Sequence, residues 1–254
     1  MGKPLVSIVM PAYNVENDIL DAVEMVRRVM AGVDYELIIV NDGSIDGTRR
    51  VLEGFRDDRV KIVDHAVNLG KGAAVKTGVK HADGEYVVIL DADRDIDAGN
   101  IRRYIDALKE YDVIIGSKRH PKSTYQAPLL RKILSIGYNI LVKILLGIRI
   151  GDTQTGLKAF KTKHLKTIMN AIVVKRYSWD AEALAIANML KLKIAEAPVH
   201  IKQRKLFNIK DVLRMLIEVM GITYRLRIIR WYQKNIERKS TIQTNTENLK
   251  RIIS

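Results

Sequence analysis

The 254-residue sequence contains no cysteine. Disulfides, thiolate metal sites and a thiol nucleophile are therefore excluded, and a reducing compartment is compatible with the chain. No run of about 18 uncharged apolar residues occurs, so no membrane-spanning helix is expected. No signal peptide is expected either, because the chain passes through Lys3 straight into a strand-like segment. The first strand-to-helix turn lacks G-x-G-x-x-G, and no G-x-x-x-x-G-K-[ST] occurs. Both a dinucleotide enzyme and a P-loop NTPase are disfavoured by that. Aromatic residues make up only 6% of the chain, and no aromatic platform or nucleic-acid motif stands out.

What is present is length and charge. A chain of 254 residues can bury a sizeable core, as one large α/β domain or a domain with an appendage. The formal net charge of +14 is unevenly placed. Residues 1–115 carry 15 Lys+Arg against 21 Asp+Glu, whereas residues 116–254 carry 28 against 8. A basic half of this kind suits nucleic acid, anionic lipid headgroups or a phosphorylated substrate.

The acidic half contains the stretch that organises the chain. Tyr86-Val87-Val88-Ile89-Leu90 is apolar, rich in β-branched residues and preceded by Gly84, so it reads as a buried strand. It runs into Asp91-Ala92-Asp93-Arg94-Asp95. Ligands of open parallel sheets bind at the carboxyl ends of strands. Carboxylates so close together repel unless a cation sits among them, and Mg²⁺ or Mn²⁺ would also hold a substrate diphosphate. A solvated acidic turn is the plain alternative.

Further strands are expected at residues 5–10, ended by Pro11, and at 35–40, near 60–63 and at 112–117. Helices are expected from about Asn17 to Met30, to about Phe55 and from Gly72 through His81. Strand alternating with helix predicts an α/β fold, a mostly parallel central sheet with helices on both faces. Its strand-end loops would meet at one edge. Asp42 could accept hydrogen bonds from a base or ribose there, or could simply cap a turn. Gly70 and Gly72 permit close backbone approach at a helix start, with Lys71 placed to pair with phosphate.

Taken in order, these loops resemble the family 2 glycosyltransferases, the inverting nucleotide-sugar transferases of the A fold. The matching segments are Pro11-Ala12-Tyr13-Asn14 with Glu16, Val40-Asn41-Asp42-Gly43-Ser44 with Asp46-Gly47-Thr48, Asn68-Leu69-Gly70-Lys71-Gly72, and Asp91-Ala92-Asp93. In the second half, Gly116 to His120, Arg131, Ser135, Asp152-Thr153-Gln154-Thr155-Gly156-Leu157-Lys158 and Trp179-Asp180-Ala181-Glu182 resemble the polyprenyl-phosphate branch. The D-T-Q-x-G-x-K form is closer to the dolichyl-phosphate glucose synthases than to the mannose enzymes. Arg94 departs from relatives, which often have a neutral residue there.

The resemblance implies transfer of one hexose to dolichyl or another polyprenyl phosphate, from UDP-glucose ahead of GDP-mannose. A family 2 transferase acting on a non-lipid glycan is the alternative within the family, and a basic nucleic-acid-binding protein the alternative outside it. Carried over residue by residue, Pro11, Tyr13, Glu16, Asp42, Lys71, Asp91, Ala92 and Asp93 would hold the nucleotide sugar. Asp91, Asp93 and Asp95 would hold the metal. Arg119, Arg131, Ser135 and Arg204 would take the acceptor phosphate. Asp152, Gln154, Asp180 and Glu182 would flank the sugar, with Asp93, Arg119, Asp152 and Gln154 forming the catalytic set.

The implied organisation is a catalytic domain over residues 1–205, with a nucleotide-sugar half to about 115 and an acceptor half from 116. Basic amphipathic helices at 206–238 and a polar tail at 239–254 would follow. Residues 127–148 and 207–236 combine apolar faces with Arg131, Lys132, Lys143, Arg214, Arg225, Arg227, Arg230 and Lys234. That pattern fits a helix lying in a membrane interface and drawn to anionic lipid. A peripheral protein on the cytoplasmic side of the membrane is expected, without nucleic acid and with self-association left open.

Overall fold

The structure, a computed structural model, describes residues 4–93, 95–203 and 209–238. Arg94, Arg204 and the expected tail at 239–254 lie outside the described residues.

The first half alternates as expected. Strands β1 (Val6–Ala12), β2 (Tyr35–Asn41), β3 (Val60–Asp64) and β4 (Tyr86–Leu90) are separated by helices α1 (Ile19–Val29), α2 (Thr48–Glu53) and α3 (Lys71–Lys80). β1 and β2 are nearly continuous apolar runs because both of their faces are covered. Alternate residues feed two cores. Val9, Ile38, Val40 and Ile89 face one layer of helices, and Ile8, Met10, Leu37 and Leu90 face the other.

Pro11 does not end β1. It stays in register opposite Val40. The Val6 amide donates to the Asp34 carbonyl on the β2 side, so alternation turns the Pro11 nitrogen toward β4. Pairing with β4 stops at Val9↔Ile89, and no ladder hydrogen bond is lost.

In the second half, α4 (Ile101–Ala107) leads to β5 (Val113–Ser117), β6 (Thr124–Gln126), α5 (Leu129–Leu146), β7 (Leu157–Lys161), α6 (Thr162–Ala171), α7 (Trp179–Met189), β8 (Ile194–Pro198), β9 (His200–Lys202) and α8 (Ile209–Thr223). The large sheet has the order β3-β2-β1-β4-β7-β5-β8, and β6 and β9 form a separate parallel pair. All neighbours in the large sheet are parallel except β7, which runs antiparallel to both β4 and β5. This reversal places the site. With Leu90 opposite Leu157, the residues before β7 arrive where β4 ends, and the Asp91 amide donates to the Gly156 carbonyl.

α5 begins after Pro128 and ends on Gly147, whose φ of 70° is the left-handed cap that favours glycine. α7 is buried at every position from Trp179 to Ala187, its acids Asp180 and Glu182 included. The basic segment at 207–236 is not one helix. α8 passes into a π-turn at Tyr224–Ile228, breaks at Arg230 with φ 50°, and resumes at 231–238 as α9. Met215, Val219, Ile222 and Tyr232 join the main core, so one face of this segment packs on the protein.

Candidate active site

Strands β1, β2 and β4 end together at a cleft of about 330 Å³. Pro11, Tyr13, Asp42, Lys71, Asp91, Ala92 and Asp93, which the resemblance assigns to the nucleotide sugar, line it. Glu16 does not; its carboxylate accepts from the Gly47 amide at 2.6 Å and ties the β1–α1 loop to the β2–α2 loop. Arg176, Tyr177 and Asp211 also line the cleft. Sequence reasoning missed all three, since the loop before α7 and the start of α8 bear no motif that marks them.

One wall is set by Asp42. Its Oδ1 accepts from the Leu69 amide at 3.0 Å and its Oδ2 from the Gly70 amide at 2.8 Å. His65 Nδ1 lies 2.7 Å from Oδ1, and the far ring nitrogen lies 2.9 Å from Thr77 Oγ1. This buried carboxylate therefore shapes the 68–71 loop as well as facing the cleft. Gly70, at φ 102°, has no room for a side chain, because a Cβ would meet the Lys175 carbonyl at 2.5 Å. The close approach delivers Lys71, the first residue of α3, into the cleft.

Lys71 Nζ donates to Asp91 Oδ2 at 2.8 Å. Burial works against its charge, but Asp91, Asp180 and Asp93 outweigh burial and hold the ammonium above the ordinary lysine range. The other oxygen, Asp91 Oδ1, is buried and has no hydrogen-bond partner. Asp93 keeps an exposed face at the mouth of the cleft. Protein packed around its carboxyl, together with the Asp91 and Asp95 charges, pushes it up to about 6.

Asp95 does not join this pair in the cleft. The chain turns after Leu90, the Asp95 carbonyl accepts from the Lys202 amide, and Asp95 lines a separate groove beside α1 and β9. Among the described residues no three or more Asp, Glu or His groups converge as a metal cage. The three acids expected together are thus divided, Asp91 and Asp93 lining the cleft and Asp95 the groove. An orphaned buried oxygen and a carboxyl that resists ionisation are an electrostatic deficit that a hard divalent cation would relieve, so these two residues fit Mg²⁺ or Mn²⁺.

The residues expected around the sugar behave differently. Asp152 is buried and accepts from the Lys118 amide at 3.0 Å, the Gln154 amide at 3.1 Å and the Thr155 hydroxyl at 2.8 Å. Its carboxylate also pairs with Lys118 Nζ at 2.8 Å. Burial opposes its charge, yet Lys118 and these donors hold it down at about 2. A carboxyl held below its ordinary range stabilises the fold above about pH 4, and that contribution is lost as pH falls through about 2. Asp152→Asn is expected to cost about 2 kcal/mol at neutral pH. Between pH 4 and 2 its urea midpoint should fall less steeply than that of the wild type.

Asp180 is also buried, 2.6 Å from Lys158 Nζ. Burial pushes Asp180 up and Lys158 down, the pattern of a desolvated pair. Lys158 escaped sequence reasoning as a role-bearing residue, although a lone lysine inside the apolar strand Leu157–Phe160 is a readable signal. Glu182 is not at the cleft. It accepts from the Val174 amide at 2.7 Å and from the Tyr232 hydroxyl, with Arg225 at 3.7 Å. The sugar-flanking place expected of it is corrected: it pins the 173–174 loop to the C-terminal helices.

Beside the Asp152 loop lies a basic ledge. Lys118 and Lys132 stand 5.6 and 5.9 Å from the centre of the Tyr125 ring. Burial pushes the Tyr125 hydroxyl up, and the Arg131 charge beside it offsets part of that rise. Ser135 follows Arg131 by one turn on the same face of α5. Arg119 is exposed at the end of β5, where its amide donates to Ser117 Oγ. Among the described residues, Arg119, Arg131 and Ser135 thus belong to the elements around this ledge.

Residues 7–169 match the family described as glycosyl transferase family 2. A dolichyl-phosphate beta-glucosyltransferase of Trichomonas vaginalis is 32% identical over 243 residues, spanning 89% of this chain and 75% of that protein. A UDP-N-acetylglucosamine–dolichyl-phosphate N-acetylglucosaminyltransferase of Methanococcus voltae is 31% identical over 222 residues, 78% of this chain and 86% of its own. Among solved structures, glucosyl-3-phosphoglycerate synthase from Mycobacterium tuberculosis, in complex with Mn²⁺, UDP-glucose and glycerol 3-phosphate, superposes with a TM-score of 0.65. That likeness covers 87% of this chain and 79% of the other at 17% identity, and it is one of fold. The matched region begins in β1 and runs past the reversed strand β7, and so takes in β1, β2 and β4, whose ends form the cleft: the chain is a glycosyltransferase of the A fold and belongs to glycosyl transferase family 2.

Proposed function

We propose that this chain transfers one glucose from UDP-glucose to dolichyl or another polyprenyl phosphate, at the cytoplasmic face of a membrane. The observation that carries the reading is the adjacency of two oppositely charged sites. The Asp91–Asp93 cleft and the Lys118–Arg131–Lys132 ledge meet through the loop from Asp152 to Gly156. Names of relatives support the donor and the acceptor: glucosyltransferases acting on dolichyl phosphate among the sequences, and a fold neighbour holding UDP-glucose and Mn²⁺.

The chemistry suits the residues. Departure of the nucleotide leaves a diphosphate, and a divalent cation held by Asp91 and Asp93 would stabilise the charge that develops there. An acceptor phosphate is already anionic, so it needs no general base. That agrees with the use made of the other buried carboxylates, since Asp180 is paired with Lys158 and Glu182 is committed to Val174 and Tyr232. What remains is to hold two anions together, which guanidinium and ammonium groups do. Arg119, Arg131 and Ser135 would take the lipid phosphate. Pro11, Tyr13 and Asp42 would hold the nucleoside, and Gln154 would stand near the sugar.

Incubating the protein with Mn²⁺, polyprenyl phosphate and either UDP-glucose, UDP-N-acetylglucosamine or GDP-mannose tests the reading. A glucosylated lipid phosphate is expected, and its absence alongside glucosylation of a water-soluble glycan would refute the acceptor. Arg131→Ala should raise the KM for lipid phosphate about 10-fold or more while leaving that for UDP-glucose within about 2-fold. Equal losses for both substrates would argue against the division of labour.

The proposed division of the chain keeps residues 1–205 as the catalytic domain and assigns the helices of 206–238 to the membrane surface. Among the described residues no helix is long and apolar enough to cross a membrane. α5 and α8 pack together, and each leaves an apolar face in solvent. Ile133, Ile136, Ile140 and Ile144 lie on α5, with Leu213, Ile217 and Met220 on α8. Lys132, Lys143, Arg214 and Arg227 flank them, which fits an anionic lipid surface. Ile140→Glu with Ile217→Glu should weaken sedimentation with phosphatidylserine vesicles by about 10-fold or more without moving the thermal midpoint. Unchanged sedimentation would remove this surface from the membrane.

A further inference from the structure

Three lysine–aspartate pairs surround the cleft, and they differ in exposure. Lys158–Asp180 is sealed, at 1% and 4% side-chain exposure. Lys118–Asp152 is nearly so, at 10% and 3%. Lys71–Asp91 opens to the cleft, at 20% and 21%. The first two are fixed parts of the structure behind the cleft, whereas Lys71 and Asp91 both line it and their pair can be broken by whatever enters. Asp180 is ion-paired with Lys158, and the direct partner of Lys71 is Asp91. Asp91 in turn uses one oxygen on Lys71 and leaves the other buried without a hydrogen bond.

We infer that Lys71 is an exchangeable counterion. In the empty cleft it neutralises Asp91. When a nucleoside diphosphate enters, the ammonium moves from Asp91 to the phosphate oxygens and leaves the carboxylate to the divalent cation. The diphosphate thereby prepares the cation site, and the cation binds second. The driving force is charge: an ammonium shared with one carboxylate gains by meeting a diphosphate, and a carboxylate stripped of its partner gains by meeting a divalent ion. The position of Lys71 permits the exchange, because it is the first residue of α3, on a loop held from behind by Asp42, so its side chain can turn while its backbone stays fixed. This inference rests on the nucleotide and metal reading above.

Isothermal titration of wild type and Lys71→Met, with Mn²⁺ alone and with UDP in EDTA, tests it without any turnover. Lys71→Met should bind Mn²⁺ alone at least about 5-fold tighter than the wild type, because its competitor for Asp91 is gone. The same variant should bind metal-free UDP about 5-fold or more weakly, while uridine, which lacks phosphate, binds both proteins alike. Tighter Mn²⁺ with unchanged UDP would make Lys71 a static counterion and overturn the exchange. Mn²⁺ affinity that is unchanged or lower would overturn it as well. If the wild type takes up no Mn²⁺ even with UDP present, the cofactor reading itself falls and this inference with it. Thermal melts of Lys71→Met and of the shape-similar Lys71→Gln separate a folding defect from a binding effect, and whichever variant is folded is titrated. Lys71→Arg, which keeps the charge, should retain wild-type order of binding.

Discussion

Asparagine at position 93 is expected to cut sugar transfer by about 10²–10³-fold while leaving the protein as stable as the wild type or more so. The two halves of this expectation have one cause. Protein packed against one side of the Asp93 carboxyl and two further carboxylates pressing on it disfavour its ionised form, with a pKa pushed up to about 6. A group whose folded-state value is raised loses part of the stability of the fold as pH rises through that value, and a neutral amide relieves the repulsion. The fold gains from the change, and the chemistry loses a negative oxygen at the mouth of the cleft. Removing the divalent cation with a chelator should cost a comparable factor in the wild type and little further in the variant. The checks are a transfer assay, an Mn²⁺ titration and a thermal melt. Wild-type turnover with unaltered metal dependence in Asp93→Asn would defeat the assignment.

The acidic strand end was legible because it is local: β-branched residues, then carboxylates, in one stretch. The parallel half of the sheet was legible for a similar reason, since each of its strands is buried on both faces and reads as an apolar run. β7 was harder. Leu157–Lys161 carries Lys158, which breaks the apolar pattern, and beside the local Thr155 carbonyl it is the distant Asp180 that explains how a lysine can be buried there. Its reversed direction is a property of pairing with β4 and β5, not of its own residues. Asp95 misled because closeness in sequence and the family resemblance both group it with Asp91 and Asp93, but β4 ends at Leu90 and the chain then turns Asp95 toward β9. Glu182 misled because a helix N-terminus favours acidic side chains whatever they do next, and its partners Tyr232 and Arg225 lie far along the chain. In each miss the deciding contact is long-range and polar, a class that neither periodicity nor capping rules report.

The motif residue whose reason emerges only in three dimensions is Gly156, and Gly156→Ala is the second large effect expected. A Cβ built there would fall 2.0 Å from Asp91 Oδ2, the oxygen that Lys71 holds, and 2.3 Å from the carboxyl carbon. Both backbones are pinned, because the Asp91 amide donates to the Gly156 carbonyl and Leu90 pairs with Leu157. The side chain of Asp91 must therefore give way. The backbone at 156 is not left-handed, so alanine strains nothing on its own account and even gains about 0.4–1 kcal/mol by restricting the unfolded chain. Overpacking costs about 1–3 kcal/mol against that, leaving a modest net loss of stability. The effect on transfer should be far larger, about 10²-fold, since a displacement near 1 Å is enough to misplace a reacting group. Gly137→Ala on α5 supplies the contrast: a Cβ there meets nothing within 4 Å, so alanine should stabilise the helix by about 0.5–1 kcal/mol and leave transfer unchanged. Mn²⁺ uptake in the presence of UDP should be impaired in the first variant and normal in the second. If Gly156→Ala instead transferred sugar at the wild-type rate, the position of the Asp91 carboxylate against β7 would be irrelevant to catalysis, and the antiparallel strand would be scaffold alone.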